Sequence, residues 1–195
     1  MKITKEQLTN IEKFAKQKIS RNDPLHKIDH IQRTVNIAEF LAKKEKADIQ
    51  KSMIIAWLHD IEKNKQSKKI SHGIEGAKTA KKFLTKMGLG EKDIEEICYA
   101  ISTHNTGENQ KTKEARIIWD ADKLQAIGFE GILRIYSWFL HKKLEPKEAY
   151  DKTIQEQKIY VKRFRTKTGK KMAKKRFKFF KKIIKEYSKE IKLIK

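Results

Sequence analysis

Residues 48–62 read Asp-Ile-Gln-Lys-Ser-Met-Ile-Ile-Ala-Trp-Leu-His-Asp-Ile-Glu, an apolar helical pattern that contains an adjacent histidine and aspartate near its end. Asp48 is placed to cap this helix at its start. The apolar face at helical spacing consists of Ile54, Trp57, Leu58 and Ile61. The stretch therefore predicts a core helix that carries His59 and Asp60 at its end.

The same helical period extends along most of the chain, and no segment alternates as a strand would. Asn22-Asp23-Pro24 resembles a cap followed by proline at a first helical position, and Thr166–Gly169 interrupts the pattern. The predicted helices cover residues 4–19, about 24–41, 48–61, 73–87, 92–104, 112–127, 130–142, 146–164 and a last segment to about 190. We predict an all-α protein, a compact multi-helix bundle with a basic C-terminal helix.

Length and composition set the limits of this fold. A chain of 195 residues favours one core, so we expect a single domain over residues 1–195, with the core at about 20–140 and C-terminal helices at about 141–190 packed on it. One cysteine, Cys98, excludes an internal disulfide framework and a cysteine-rich zinc module. No apolar run approaches a membrane span, and we expect a cytoplasmic protein.

Helical geometry brings His30 level with His59 and Asp60. If the chain turns near Glu45, His30 lies 15 residues before the turn and Asp60 15 residues after it. In an antiparallel pair both lie roughly 22 Å from the turn. Imidazoles and a carboxylate suit a first-row divalent ion, and helices of a bundle can supply such ligands together.

Further polar side chains fall on apolar helix faces later in the chain. Asp122 lies between Ile118, Trp119 and Ala126 on the helical wheel, and a buried carboxylate needs a cation or a full set of hydrogen bonds. Asp120 lies on a less apolar sector, so Asp122 is the better ligand and Asp120 the better supporting residue. His104 and His72 also point inward, although a single histidine on an apolar face is more often a core residue than a ligand.

Three ordered motifs resemble the HD-domain superfamily of metal-dependent phosphohydrolases, an all-helical family with the pattern H…HD…D. The motifs are Asp29-His30-Ile31-Gln32-Arg33-Thr34-Val35, Leu58-His59-Asp60-Ile61-Glu62 and Trp119-Asp120-Ala121-Asp122-Lys123-Leu124. The resemblance implies that the metal ligands are His30, His59, Asp60 and Asp122. It also implies that the cations Arg33 and Lys123 bind substrate.

Two more stretches extend the resemblance. Ser71-His72-Gly73-Ile74-Glu75-Gly76-Ala77 and Ser102-Thr103-His104-Asn105 are similar to the extra histidines of members with an H…HD…H…H…D pattern. In such members these histidines bind a second metal or contact phosphate. The segment 165–176, which begins Arg165-Thr166-Lys167-Thr168-Gly169 and ends at Arg176, resembles a C-terminal stretch of small bacterial and archaeal HD proteins related to nucleotide pyrophosphohydrolases.

The sequence departs from that pattern just after the His-Asp pair. Glu62 stands where glycine is common, and Lys63-Asn64 replaces the acidic pair of the nucleotide-pyrophosphatase relatives. Glu62 is a candidate proton relay, Lys63 a candidate phosphate contact, and His72 a candidate substrate contact. His104 is a candidate proton donor to the leaving oxygen or a ligand to a second ion.

These residues lead to an expected activity with two alternatives. We expect a phosphohydrolase that acts on a nucleotide or another small phosphoester through water activated by one or two divalent ions (Mn, Mg, Ni, Co, Fe or Zn). One alternative is a nucleic-acid-binding module with a structural metal site. The other is a di-iron oxygenase of the same superfamily, which needs His72 and His104 close together.

Positive charge is concentrated at the C-terminal end of the chain. Lys and Arg number 47 against 25 Asp and Glu, a net charge of +22. Between Val161 and Lys185 the chain contains 13 basic residues and no acidic one. Such a segment is typical of a phosphate-binding surface for nucleic acid or of a solvated outer helix face. The sequence leaves both interpretations open.

Overall fold

The computed structural model describes residues 1–19, 28–63, 71–106 and 110–193. All regular elements within these ranges are helical, which confirms the predicted all-α class. The predicted cap at Asn22-Asp23-Pro24 lies outside the described residues. The helices are α1 (Lys5–Lys18), α2 (Ile28–Glu45), α3 (Ile49–Leu58), α4 (His72–Lys86), α5 (Glu91–Thr103), α6 (Lys113–Lys123), α7 (Phe129–His141), α8 (Pro146–Tyr160) and α9 (Lys167–Leu193), with a 3-10 turn at Leu124–Ala126 after α6.

The chain forms two compact units, Met1–Ala121 and Asp122–Lys195. The division falls inside α6, so this one helix belongs partly to each unit. The organisation of residues 1–195 as a single domain stays a prediction. None of the described helices combines the length and the apolar character that a membrane span requires.

The first unit is built around α3. The Asp48 carboxylate accepts a hydrogen bond from the Lys51 amide at 2.9 Å, as the predicted cap requires. The side chains of Ile54, Ile55 and Leu58 are fully buried. Helices α1, α2 and α5 all pack against α3, so α3 is held from several sides.

A buried ionic contact also fixes α3 against α5. The Lys51 side chain is only 8% exposed, and its ammonium group lies 2.8 Å from the Asp93 carboxylate. The same ammonium group donates to Glu96. Burial lowers the pKa of Lys51, but these two carboxylates outweigh burial and hold that pKa above its ordinary value. Lys51 is therefore charged and paired, which aligns α3 with α5.

Helices α4 and α5 pack closely at the point where α4 begins and α5 ends. Gly73, in the first turn of α4, permits this approach. A Cβ atom there would lie 2.9 Å from both the Ile101 carbonyl oxygen and Asn105 Oδ1. Since His72 precedes Gly73 and His104 follows α5, the missing side chain allows the two histidines to approach each other.

The second unit contains the Thr-x-Thr-Gly segment that the sequence singles out. Thr166 Oγ1 accepts a hydrogen bond from the Gly169 amide at 2.9 Å, in the first turn of α9. Further along α9, Arg176 donates to the Leu124 carbonyl. Gln157 on α8 donates to the Gly128 carbonyl and accepts from its amide, at 3.1 and 2.9 Å. The segment that follows α6 is thus held from both α8 and α9.

Replacing Gly73 by alanine tests the close approach of α4 and α5. Gly73→Ala should lower the free energy of unfolding by about 1–3 kcal/mol, because the added methyl group meets backbone oxygen. Gly76→Ala is the matched control on the same helix, since its Cβ would make only ordinary contacts from 3.5 Å outward. The control should be neutral or stabilising by up to about 1 kcal/mol. Urea unfolding of both variants measures the difference, and equal effects would contradict the packing described.

Candidate metal centre

The start of α2 and the end of α3 bring two histidines together. His30 lies in the first turn of α2, and His59 is the residue at which α3 ends. Their ring centroids are 5.8 Å apart, with the rings inclined at 62°. Both side chains are buried, so any polar atom that they present requires a partner.

The backbone determines which nitrogen of His59 carries a proton. His59 Nδ1 lies 2.8 Å from the Ala56 carbonyl oxygen, and only a protonated nitrogen can donate to that oxygen. In the neutral imidazole, His59 Nε2 is then the nitrogen that carries the lone pair. Among the described residues this buried atom has no hydrogen-bond partner, and the nearby Asp60 Oδ2 is 3.5 Å away. A buried imidazole lone pair oriented in this way is the usual arrangement of a metal-binding histidine.

The Asp60 carboxylate is buried and faces two groups of imidazoles. Its Oδ2 is the oxygen near His59. Its Oδ1 lies 3.2 Å from His72 Nε2 and 3.3 Å from His104 Nε2. One carboxylate therefore presents a different oxygen to each group.

His72 and His104 form the second group. Their Nε2 atoms are 3.2 Å apart, and His104 Nδ1 lies 2.6 Å from the Ile101 carbonyl. The Nδ1 proton of His104 is thereby committed to the backbone, and its Nε2 lone pair is directed at Asp60. Asn105 Nδ2 lies 3.1 Å from His72 Nδ1 and 2.9 Å from Ser71 Oγ, so this amide fixes the second imidazole ring.

The electrostatics of Asp60 and His104 favour a cation. Burial alone would raise the pKa of Asp60, but the neighbouring imidazoles of His59, His104 and His72 hold that pKa well below its usual range. Burial lowers the pKa of His104 to about 4, despite the neighbouring Asp60 carboxylate. At neutral pH the two groups are a carboxylate and a neutral imidazole. Both present lone pairs, which a cation satisfies.

Two sets of side chains have the composition and spacing to hold a metal ion. His30, His59 and Asp122 offer ligand atoms within 4.8 Å of one another, and so do Asp60, His72 and His104. The sequence predicts His30, His59, Asp60 and Asp122 as the ligands of one ion, and this assignment stays a prediction. In the structure Asp60 Oδ1 lies with His72 and His104, while Asp60 Oδ2 lies beside His59.

The two aspartates of α6 differ in burial from the expectation. Asp120 is fully buried, although the helical wheel places it on a less apolar sector. Asp122 is part-buried and accepts a hydrogen bond from Lys123 Nζ at 2.6 Å. Asp122 rather than Asp120 nevertheless lies with the histidines. The burial predicted from the helical wheel is wrong for Asp120, and Asp122 as the ligand stays a prediction.

The remaining candidate residues lie in different surroundings. Lys63 Nζ is 3.5 Å from His72 Nε2, beside the second group. Glu62 is buried and accepts a hydrogen bond from Thr79 on α4 at 2.8 Å. Arg33 forms an ion pair with Asp29 at 3.0 Å on the exposed side of α2.

Two supporting residues were not assigned a role from the sequence. Ser71 caps α4 by accepting from the Gly73 amide, and Asn105 connects that cap to His72. A serine directly before a predicted helix is a recognisable N-cap signal. The contact between Ser71 and Asn105 joins residues 34 positions apart, and no local pattern indicates it.

The chain is similar to known proteins. A family model described as the HD domain matches residues 28–127. The chain is similar to the structure of a predicted HD-superfamily hydrolase from an uncultured Thermotogales bacterium, at 29% identity and a TM-score of 0.72 over 95% of this chain and 92% of that one. No curated protein sequence matches the chain.

More distant solved structures have the same fold. Bacillus subtilis YpgQ in complex with ADP is 22% identical, with a TM-score of 0.78 over 95% of this chain and 98% of that one. An HD-superfamily hydrolase from Bacillus thuringiensis is 20% identical, with a TM-score of 0.72 over 96% and 97%. At these identities the comparison concerns the fold alone.

The lowered pKa of His104 predicts how the metal-free protein responds to acid. Between its ordinary pKa of 6.5 and its folded pKa of about 4, the unfolded chain binds a proton that the folded chain does not. His104 therefore lowers stability as pH falls through this window, by up to about 3 kcal/mol. Urea unfolding of chelator-treated protein from pH 7 to 4 measures the effect.

A matched pair of variants isolates His104 in that experiment. His104→Gln should show a smaller loss of stability on acidification than the wild type. His141→Gln, at an exposed position on α7, should retain the wild-type pH dependence. An unchanged pH dependence in His104→Gln would contradict the assigned neutral state.

Proposed function

The chain belongs to the HD-domain family, a superfamily of metal-dependent phosphohydrolases, and from this premise we propose that it hydrolyses a nucleotide or a similar small phosphoester. The observation that carries the proposal is the Asp60 carboxylate, with one oxygen beside His59 and the other between His72 and His104. Neutral imidazoles and carboxylates in this arrangement suit divalent first-row metals.

Each of the two sets of side chains has the residues that a divalent ion requires. His59 Nε2 is the clearest sign, because it is buried and has no hydrogen-bond partner among the described residues. His30, His59 and Asp122 would hold one ion, and Asp60, His72 and His104 a second, with Asp60 next to both. A bound divalent ion supplies Lewis-acid stabilisation of phosphoryl charge and lowers the pKa of water.

The geometry of His104 favours a ligand over a proton donor. Its Nδ1 proton is directed at the Ile101 carbonyl, so Nε2 has no proton to transfer while the imidazole is neutral. His72 Nε2 also lies beside Asp60, at 3.2 Å from Oδ1, and the Asn105 amide at its Nδ1 orients the ring. We assign both histidines to the second ion.

Cationic side chains supply the contacts for a phosphorylated substrate. Lys63 is adjacent to His72, and Lys123 is adjacent to Asp122, so each set of ligands has one ammonium group beside it. Arg33 lies one helical turn after Asp29, with its guanidinium partly exposed. Ammonium groups act as point charges on phosphate, and a guanidinium can bind two phosphate oxygens at once.

We propose that Glu62 stabilises the turn that contains His59 and Asp60 and does not contact the substrate. It is buried, and Thr79 of α4 donates to it, so it connects the His-Asp turn to a neighbouring helix. A carboxylate that accepts such a hydrogen bond is held in one orientation. Its proposed part is to keep Asp60 and Lys63 in position.

A nucleotide is the preferred substrate class for two reasons. The chain carries a net charge of +22, which attracts polyanionic small molecules. Bacillus subtilis YpgQ, which shares the fold over nearly the whole chain, has been solved in complex with ADP. Both points support an adenine nucleotide as the first compound to test.

The di-iron oxygenase alternative rests on the same side chains. The 3.2 Å distance between the Nε2 atoms of His72 and His104 provides the close pair of histidines that it requires. Metal identity and dioxygen consumption distinguish the two activities. An iron-loaded protein that consumes dioxygen and releases no phosphate would replace the hydrolase proposal.

Removing the His59 imidazole tests the proposed hydrolase. His59→Ala should reduce metal-dependent release of phosphate or pyrophosphate by more than about 100-fold, because a ligand with an oriented lone pair is lost. His141→Ala is the control, since it removes an exposed imidazole and should retain activity. A panel of nucleoside mono-, di- and triphosphates and simple phosphomonoesters, assayed with Mn²⁺, Mg²⁺, Ni²⁺ or Co²⁺, measures both variants.

Two results would contradict the proposal. One is a metal-loaded wild-type protein that releases neither phosphate nor pyrophosphate from the whole panel. The other is a folded His59→Ala variant with wild-type activity. Circular dichroism of each variant establishes that the chain is folded in the assay.

A further inference from the structure

The lysines of α9 lie on one face of that helix. At about 100° per residue they fall within an arc of about 140°, and from the first to the last they span about 33 Å. All of them are exposed. The members of this lysine face are Lys167, Lys170, Lys171, Lys174, Lys175, Lys178, Lys181, Lys182, Lys185 and Lys189.

Little negative charge compensates this face. The stretch from Lys167 to Lys185 contains no acidic residue. The ion pair recorded on α9 joins Lys189 to Glu186 at 2.9 Å. Within the described part of the chain, the nine lysines before Lys189 form no ion pair. Neighbouring like charges on a helix repel one another, so a bound polyanion would relieve this repulsion.

Packing within the second unit directs the lysines outward. The opposite side of α9 contains buried Ala173 and Phe180, and Arg176 donates to the Leu124 carbonyl from the same side. The lysine face is therefore presented by a helix whose rotation is fixed. Ala173 and Phe180 on its other side are not available to a lipid surface.

This burial favours nucleic acid over a membrane as the partner. A helix that lies in a membrane interface inserts its apolar face into the lipid, and here Ala173 and Phe180 on that face are buried within the protein. The aromatic side chains of α9 are also poorly placed to stack on single-stranded bases. Phe177 and Phe180 lie against each other, with ring centroids 5.4 Å apart, which leaves Phe179 as the highly exposed phenylalanine of α9.

We propose that the lysine face of α9 binds the phosphate backbone of double-stranded nucleic acid without reading its base sequence. Its length of about 33 Å matches about one turn of a duplex. The lysines contact phosphate oxygens as point charges and displace condensed counterions. The lysine face contains none of the metal-centre residues, so its binding to nucleic acid can be tested separately from the hydrolase activity.

The test compares two variants of equal net charge. The first replaces four lysines at the centre of the face: Lys171→Gln, Lys174→Gln, Lys178→Gln and Lys182→Gln. The second replaces four exposed lysines of the first unit: Lys5→Gln, Lys13→Gln, Lys81→Gln and Lys92→Gln. Glutamine has nearly the helix propensity of lysine, so both variants should fold, and circular dichroism checks this.

Fluorescence anisotropy with a labelled 20-base-pair duplex, from about 50 to 200 mM salt, measures binding. Wild-type affinity should fall steeply with salt. The α9 variant should bind at least about tenfold more weakly at 100 mM salt, with a log–log salt slope lower by about 3–4. The control variant should stay within about twofold of the wild type, because non-contacting charges act only through the screened field.

Three outcomes would overturn the proposal. Wild-type protein could show no salt-dependent duplex binding. Both variants could lose affinity equally, which would assign the effect to total charge. Wild-type protein could bind phosphatidylserine vesicles but not the duplex, which would assign the face to a membrane. Phosphate release by the α9 variant should remain at the wild-type level in every case.

Discussion

The Asp60 carboxylate is the interaction on which the candidate site depends. It is buried, its pKa is held well below the usual range, and its two oxygens face different imidazoles. A buried carboxylate among neutral imidazoles is costly unless cations compensate it. The same negative charge makes this position suitable for a divalent metal ion.

The helices of the first unit serve to hold that carboxylate in place. Helix α3 ends at His59, just before Asp60, and the Lys51 contacts with Asp93 and Glu96 fix α3 against α5. Gly73 lets the start of α4 approach the end of α5, which brings the second pair of histidines to Asp60. Backbone carbonyls then select the tautomers of His59 and His104.

Much of this arrangement was predictable from local patterns. Helical periodicity placed most helices within a few residues of their observed ends, and Asp48 caps α3 as expected. These predictions of helices and caps succeeded because capping and amphipathic periods are properties of neighbouring residues. The assignment of the ordered histidines and aspartates to metal stays a prediction.

Other features depend on contacts between distant residues. The pairing of Lys51 with α5, the Ser71–Asn105 contact and the hydrogen bond from Arg176 to Leu124 each join separate helices. No period in the sequence indicates such partners. The division of the candidate ligands into two sets is also not indicated by the sequence. It depends on which oxygen of Asp60 faces which helix.

The most direct test of this account is an anomalous-difference map from crystals of the manganese-loaded protein. The account predicts one peak among His30, His59 and Asp122, a second among Asp60, His72 and His104, and His59 Nε2 as a ligand. Manganese bound only at other residues, or a His59 Nε2 that makes no contact with metal, would contradict it.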